Sequence, residues 1–117
     1  MPLINVFTSA DTSDAAKSEG LLSEISQAVS TSLSKSERWV MACLVPRTRM
    51  RFAGSDAPAC YVEVKSIGHM TPELTRRMSS DICRIVASTL GVKSDRVYVE
   101  FADEEAHLWG YDGSTFG

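Results

Sequence analysis

Pro2 carries the chain's most distinctive reactive group. Methionine is normally removed before a small second residue, and loss of Met1 would leave Pro2 as a secondary amine with a free lone pair. Such an amine takes up a proton only while neutral, and a general base works best when its pKa lies near the working pH. Retention of Met1 would make the same nitrogen an amide, whose lone pair is delocalised into the carbonyl. The other reactive side chains form no paired set. Cys43, Cys60 and Cys83 are odd in number and lie 17 and 23 residues apart, which fits neither a disulfide framework nor paired metal ligands. His69 and His107 add too little for a metal centre, so no metal is expected and both read as structural or exposed. Lys35, near a helix end, could simply complement the helix dipole. Arg47, Arg49 and Arg51 alternate as a solvated edge would. Tyr98, Trp109, Tyr111 and Phe116 crowd the last twenty residues, either as ordinary packing aromatics or as the wall of a pocket.

These groups must be held by a small molecule. The chain has 117 residues, which predicts a single domain over residues 1–117. With 44% hydrophobic and 23% charged residues it can bury enough apolar surface to offset its ordering entropy. A net charge of -3 has the wrong sign for a phosphate backbone, so nucleic acid is not an expected partner. The longest apolar run, Val40 to Val45, is far short of the roughly 20 residues that cross a bilayer. The charged-then-apolar layout of a secretory signal is missing, because the first basic residue is Lys17 and Asn5 interrupts the apolar opening. The expectation is a cytoplasmic protein without membrane attachment.

The elements follow from periodicity. Leu3 to Thr8 is β-rich, and Asp11 to Asp14 offers side-chain oxygens that can cap a helix. From Ala15 on, Leu22, Ile25, Val29 and Leu33 recur at helical spacing, widened by Leu21 and Ala28. Arg38 to Val45 reads as a second strand, ended by Pro46. A second round repeats the order: strand Cys60 to Ser66, a turn at Gly68, and a helix opened by Thr71-Pro72-Glu73. Leu74, Met78, Ile82, Ile85 and Leu90 form its buried face, Gly91 its left-handed stop, and Arg96 to Phe101 the fourth strand. Ser36-Glu37-Arg38 and Ser94-Asp95-Arg96 lead into strands at matching places, which points to an internal βαβ repeat. The expected fold is therefore α+β: two βαβ repeats making a four-stranded mixed sheet with both helices on one face. The second strand is apolar on both faces, and two helices can cover only one. Another subunit is expected over the other face.

The order of Pro2, Lys35, Lys65-Ser66-Ile67-Gly68, Ser94-Asp95-Arg96-Val97-Tyr98 and Ser114-Thr115-Phe116, with Phe52-Ala53-Gly54-Ser55 between, resembles the macrophage migration inhibitory factor family of the tautomerase superfamily. The resemblance is colinear over almost the whole chain. It implies a homotrimer with pockets between subunits and cofactor-free interconversion of keto and enol forms of phenylpyruvate-like 2-oxo acids, or isomerisation of dopachrome-type compounds. By position it makes Pro2 the catalytic base. Lys35 and the backbone N–H of Ile67, in the turn with Ser66, would hold the substrate carboxylate. Tyr98 would complete a neighbouring wall, and Trp109, Tyr111 and Phe116 would line the aromatic part. Three positions depart from the animal pattern: Trp39 stands where tyrosine is usual, Lys65 where histidine is usual, and Glu100 where asparagine usually meets the substrate's far end. The animal Cys-x-x-Cys motif is absent after Pro58, where Cys60 stands alone. Given these positions, the Lys35 cation and the apolar walls of Ile67 and Trp109 would lower the Pro2 amine toward neutrality.

Three readings of function follow. One is the tautomerase. A second is a cytokine-like protein that binds a protein receptor while its catalysis is vestigial, which fits export without a signal peptide. The third is a ferredoxin-like ligand-binding module with the same order of elements.

Overall fold

The computed structural model describes residues 1–117. In β1 (Leu3–Thr8) every second residue is buried. Helix α1 (Ala15–Leu33) begins where the Asp14 carboxylate accepts the N–H of Lys17 at 3.2 Å, and it buries Leu21, Ile25 and Val29 on the stripe that the periodicity marked. It ends at Ser34, whose backbone is left-handed at φ 53°. After β2 (Met41–Val45) and a long loop come β3 (Cys60–Ile67), α2 (Pro72–Leu90) and β4 (Val97–Glu104). The Thr71 hydroxyl caps α2 by accepting the N–H of Leu74, and Gly91 stops it at φ 70°.

The strands lie in the order β2-β1-β3-β4. β1 runs parallel to β2 and antiparallel to β3, and β3 runs parallel to β4, so the sheet is mixed, as two βαβ units require. Ile4 and Val6 of β1 and Val62 and Val64 of β3 meet Leu21, Ile25 and Val29 of α1 and Met78, Ile82, Ile85 and Val86 of α2 in one core. Each such side chain stabilises the fold by about 1.5–3 kcal/mol relative to exposure. Both helices thus share one face of the sheet.

The opposite face is bare in the protomer. Its middle row reads Cys43, Asn5, Glu63, Glu100 across the four strands. The Asn5 amide donates to Glu63 at 3.2 Å, and the Tyr61 hydroxyl lies 3.0 Å from a carboxylate oxygen of both Glu63 and Glu100. Desolvation and those two carboxylates push the phenol of Tyr61 well above its ordinary pKa.

Three boundaries differ from the sequence expectation. The strand expected from Arg38 begins at Met41, because Glu37–Trp39 form a turn of 3-10 helix in which the Ser36 hydroxyl accepts the N–H of Arg38. Trp39 is thereby taken off the strand. The fourth strand continues past Phe101 to Glu104, since β3 supplies partners as far as Ile67. The aromatic tail is a hairpin, β5 (Gly110–Tyr111) with β6 (Ser114–Thr115). Asp112 and Gly113 both have positive φ there, as the favoured two-residue hairpin turn requires.

Candidate functional site

The hairpin brings the tail to the start of the chain. Pro2, Trp39, Trp109, Tyr111 and Phe116 line one cavity of about 260 Å³, together with Met1, Leu3, Arg38, Val40, Met41 and Gly110. Its aromatic wall is packed edge to face: the Trp39 ring lies 5.2 Å from Tyr111 and 6.0 Å from Phe116, and those two rings stack at 5.6 Å. The amide N–H of Phe116 bonds the Trp109 carbonyl, closing the hairpin over the cavity. Pro2 is buried, and its carbonyl accepts the N–H of Met41, which ties the start of β1 to β2.

Lys35 stands just beyond the end of α1. Its N–H bonds the Ser30 carbonyl, its own carbonyl accepts the Ser30 hydroxyl, and its ammonium donates to the Ile67 carbonyl at 2.6 Å. The lysine therefore crosses to the end of β3 instead of answering the carbonyls of its own helix. Gly68 follows in the turn with φ 118°, a backbone state that a residue with a Cβ adopts only under strain. Ser66 is buried beneath the turn, its hydroxyl 3.4 Å from the Ile67 carbonyl. The chain's amino group lies within reach of this corner. Burial, the Lys35 charge and a hydrogen bond with Lys35 lower the Met1 amine from 8.0 to about 6.

The remaining expected residues stand apart from this cavity in the single protomer. Lys65 lies next door, in a recess with Leu3, Glu104, Leu108, Trp109 and Gly110. Tyr98 packs on Phe52, ring centres 4.8 Å apart, and Glu100 holds Tyr61. Two arginines have places that the sequence reading did not give them. Arg38 lines the cavity with its guanidinium 4.8 Å from the centre of the Trp39 ring. Arg96 donates to the carbonyls of Phe52, Ser55, Ala57 and Pro58, fastening the long loop to the start of β4. The matching Ser-x-Arg triplets marked both places, but only the folded turn shows what each arginine touches.

A free amine at this position could accept a proton inside an apolar, aromatic-walled hollow, beside a cation able to hold an acid group. Cys60 and Cys83 lie away from it, with thiols that burial raises above their ordinary pKa.

Comparison with known proteins agrees over the full length. The family model described as macrophage migration inhibitory factor matches residues 1–117. The macrophage migration inhibitory factor of Meriones unguiculatus is 33% identical over 116 residues, covering 99% of both chains. Among solved structures, the homologue from Prochlorococcus marinus is 42% identical with a TM-score of 0.91, covering 98% of this chain and 99% of that one. The Toxoplasma gondii protein superposes at 0.92 with 27% identity over 97% and 99%.

Proposed function

The chain belongs to the macrophage migration inhibitory factor family, and from that premise we propose that it is a cofactor-free keto–enol tautomerase of aromatic 2-oxo acids such as phenylpyruvate. The observation that carries this reading is the position of Pro2 in an aromatic-walled cavity where the neighbouring amino group is depressed to about 6. In the proposed reaction the neutral Pro2 amine, freed of Met1, takes a proton from the carbon beside the keto group. The electron pair shifts to the carbonyl oxygen, and a proton delivered to that oxygen completes the enol. Water supplies that second proton and Pro2 returns the first to solvent, so atoms and charge balance without a cofactor. Lys35 and the Ile67 N–H hold the substrate carboxylate, and Trp39, Trp109, Tyr111 and Phe116 hold its ring. Three copies assemble so that Tyr98 and Glu100 reach the cavity from an adjacent protomer, with Lys65 at its rim.

The test pairs mass spectrometry with an ultraviolet assay of phenylpyruvate tautomerisation. Activity should track the fraction of chains lacking Met1, and Pro2→Ala should lose most of it by exchanging a rigid secondary amine for a mobile primary one. Full activity in chains that all retain Met1 would remove Pro2 as the base.

A further inference from the structure

The loop between β2 and β3 borders the largest hollow in the protomer, an open depression of about 620 Å³, which is within the range of about 300–1,000 Å³ typical of small-molecule sites. It is lined by Arg47, Arg49 and Arg51 with Ser9, Thr48, Met50 and Asp56, so Met50 is its single apolar side chain. None of the three arginines has a carboxylate within 4.0 Å, Asp56 included. The concentration of positive charge is local, on a chain of net charge -3. In the stretch 47–51 the arginines are exposed while Thr48 and Met50 are half-buried.

The loop that holds them is built, not loose. Arg96 clamps four of its carbonyls, the Thr48 N–H bonds the Thr8 carbonyl, and Phe52 and Ser55 exchange two backbone hydrogen bonds. Arg47 itself has φ 53°, a backbone state that glycine or asparagine reaches more cheaply, yet arginine is what stands there. Ser9 accepts the Ala59 N–H through its hydroxyl oxygen, which leaves the hydroxyl proton free for a ligand.

We propose that this hollow is a second binding site, distinct from the Pro2 cavity, for a small polyphosphate: a di- or triphosphate group, either free or as the tail of a nucleotide. Guanidinium forks pair two N–H donors with two phosphate oxygens, which a lysine cannot match. The size exceeds what a single inorganic phosphate would fill.

Calorimetry with tripolyphosphate and, in parallel, ATP tests this. Binding should weaken as salt rises, and Arg47→Gln/Arg49→Gln/Arg51→Gln should weaken it by at least about tenfold. The control Arg76→Gln/Arg77→Gln/Lys93→Gln removes the same charge from α2 and the turn after it, and should leave affinity within about twofold. Arg49→Lys keeps the charge and should still lose affinity, because the fork is gone. Equal affinity for the two probes would assign the site to the phosphate chain alone, and tighter ATP binding would assign it to a nucleotide. Absence of binding at about 1 mM probe, or an equal loss in the control variant, would overturn the proposal.

Discussion

Pro2 became a candidate base through the family resemblance, since a proline at position 2 says little by itself, and its environment was not legible in the sequence. The structure shows what acts on an amine at this corner: burial first, then the Lys35 charge, disfavours the protonated amine of Met1, and both lower its pKa. A base needs the neutral form. The Met1 amine, with a pKa of about 6, is mostly neutral at pH 7, and its neutral fraction falls as pH drops through 6. In the chain that retains Met1, the amine should titrate near 6 when followed by the pH dependence of its acylation, and Lys35→Ala should move the midpoint up toward 8. An unmoved midpoint would return Lys35 to a purely structural role. Trp39, Trp109, Tyr111 and Phe116 line one cavity. Arg38 escaped notice because its place depends on the Trp39 ring, and reading 38–45 as one strand put that ring on a sheet face.

At the scale of elements, the helices were readable because long apolar periods and capping residues fix them locally, and β1 matched its β-rich run at both ends. Thr71-Pro72-Glu73 and Gly91 mark α2 to the residue. The hairpin was not, since two-residue strands show no alternation, although Asp112-Gly113 is a turn signal by itself. The loop from Val45 to Cys60 has almost no hydrophobic periodicity, and one distant side chain, Arg96, supplies four of the hydrogen bonds that order it. Arg96→Ala should therefore destabilise the protein by about 2 kcal/mol in urea unfolding, as four carbonyls lose a charged donor. Hydrogen exchange should quicken in residues 50–58 before it quickens in the sheet. Arg96→Lys should not restore protection, because one ammonium cannot reach four carbonyls. Protection unchanged in either variant would show that the loop is ordered by its own turns.

The whole molecule leaves one sheet face bare, and sequence alone foresaw this from the two-sided apolar character of β2. Met41 is 62% exposed, Val45 38% and Tyr98 66%, and β2 and β4 are both open edges. Exposed apolar groups of this size on sheet edges are expected to be covered in solution. On the proposed assembly, Val45→Asp should shift sedimentation equilibrium from three chains to one chain of 12.8 kDa. Tautomerase activity should fall with it, since Tyr98 and Glu100 would no longer reach the cavity. A wild-type mass of 12.8 kDa at micromolar concentration would dismiss the assembly, and a monomeric variant with full activity would confine the site to one protomer. In the sequence only the family resemblance divides the site between copies, because pairing across a subunit boundary leaves no local period.

The two halves of the molecule also comment on each other. Both nineteen-residue helices finish with a left-handed residue, Gly91 in the second half and Ser34 in the first. Glycine meets no steric penalty there, while a residue with a Cβ is strained by roughly 1 kcal/mol. The second repeat thus contains a ready remedy for the first. Ser34→Gly should raise the melting temperature by a few degrees in calorimetry, and Gly91→Ser should lower it by a similar amount. If the gain at residue 34 comes with a loosened Lys35 and a higher KM, the serine trades durability for aim, and heat tolerance would be the trait that this lineage gave up.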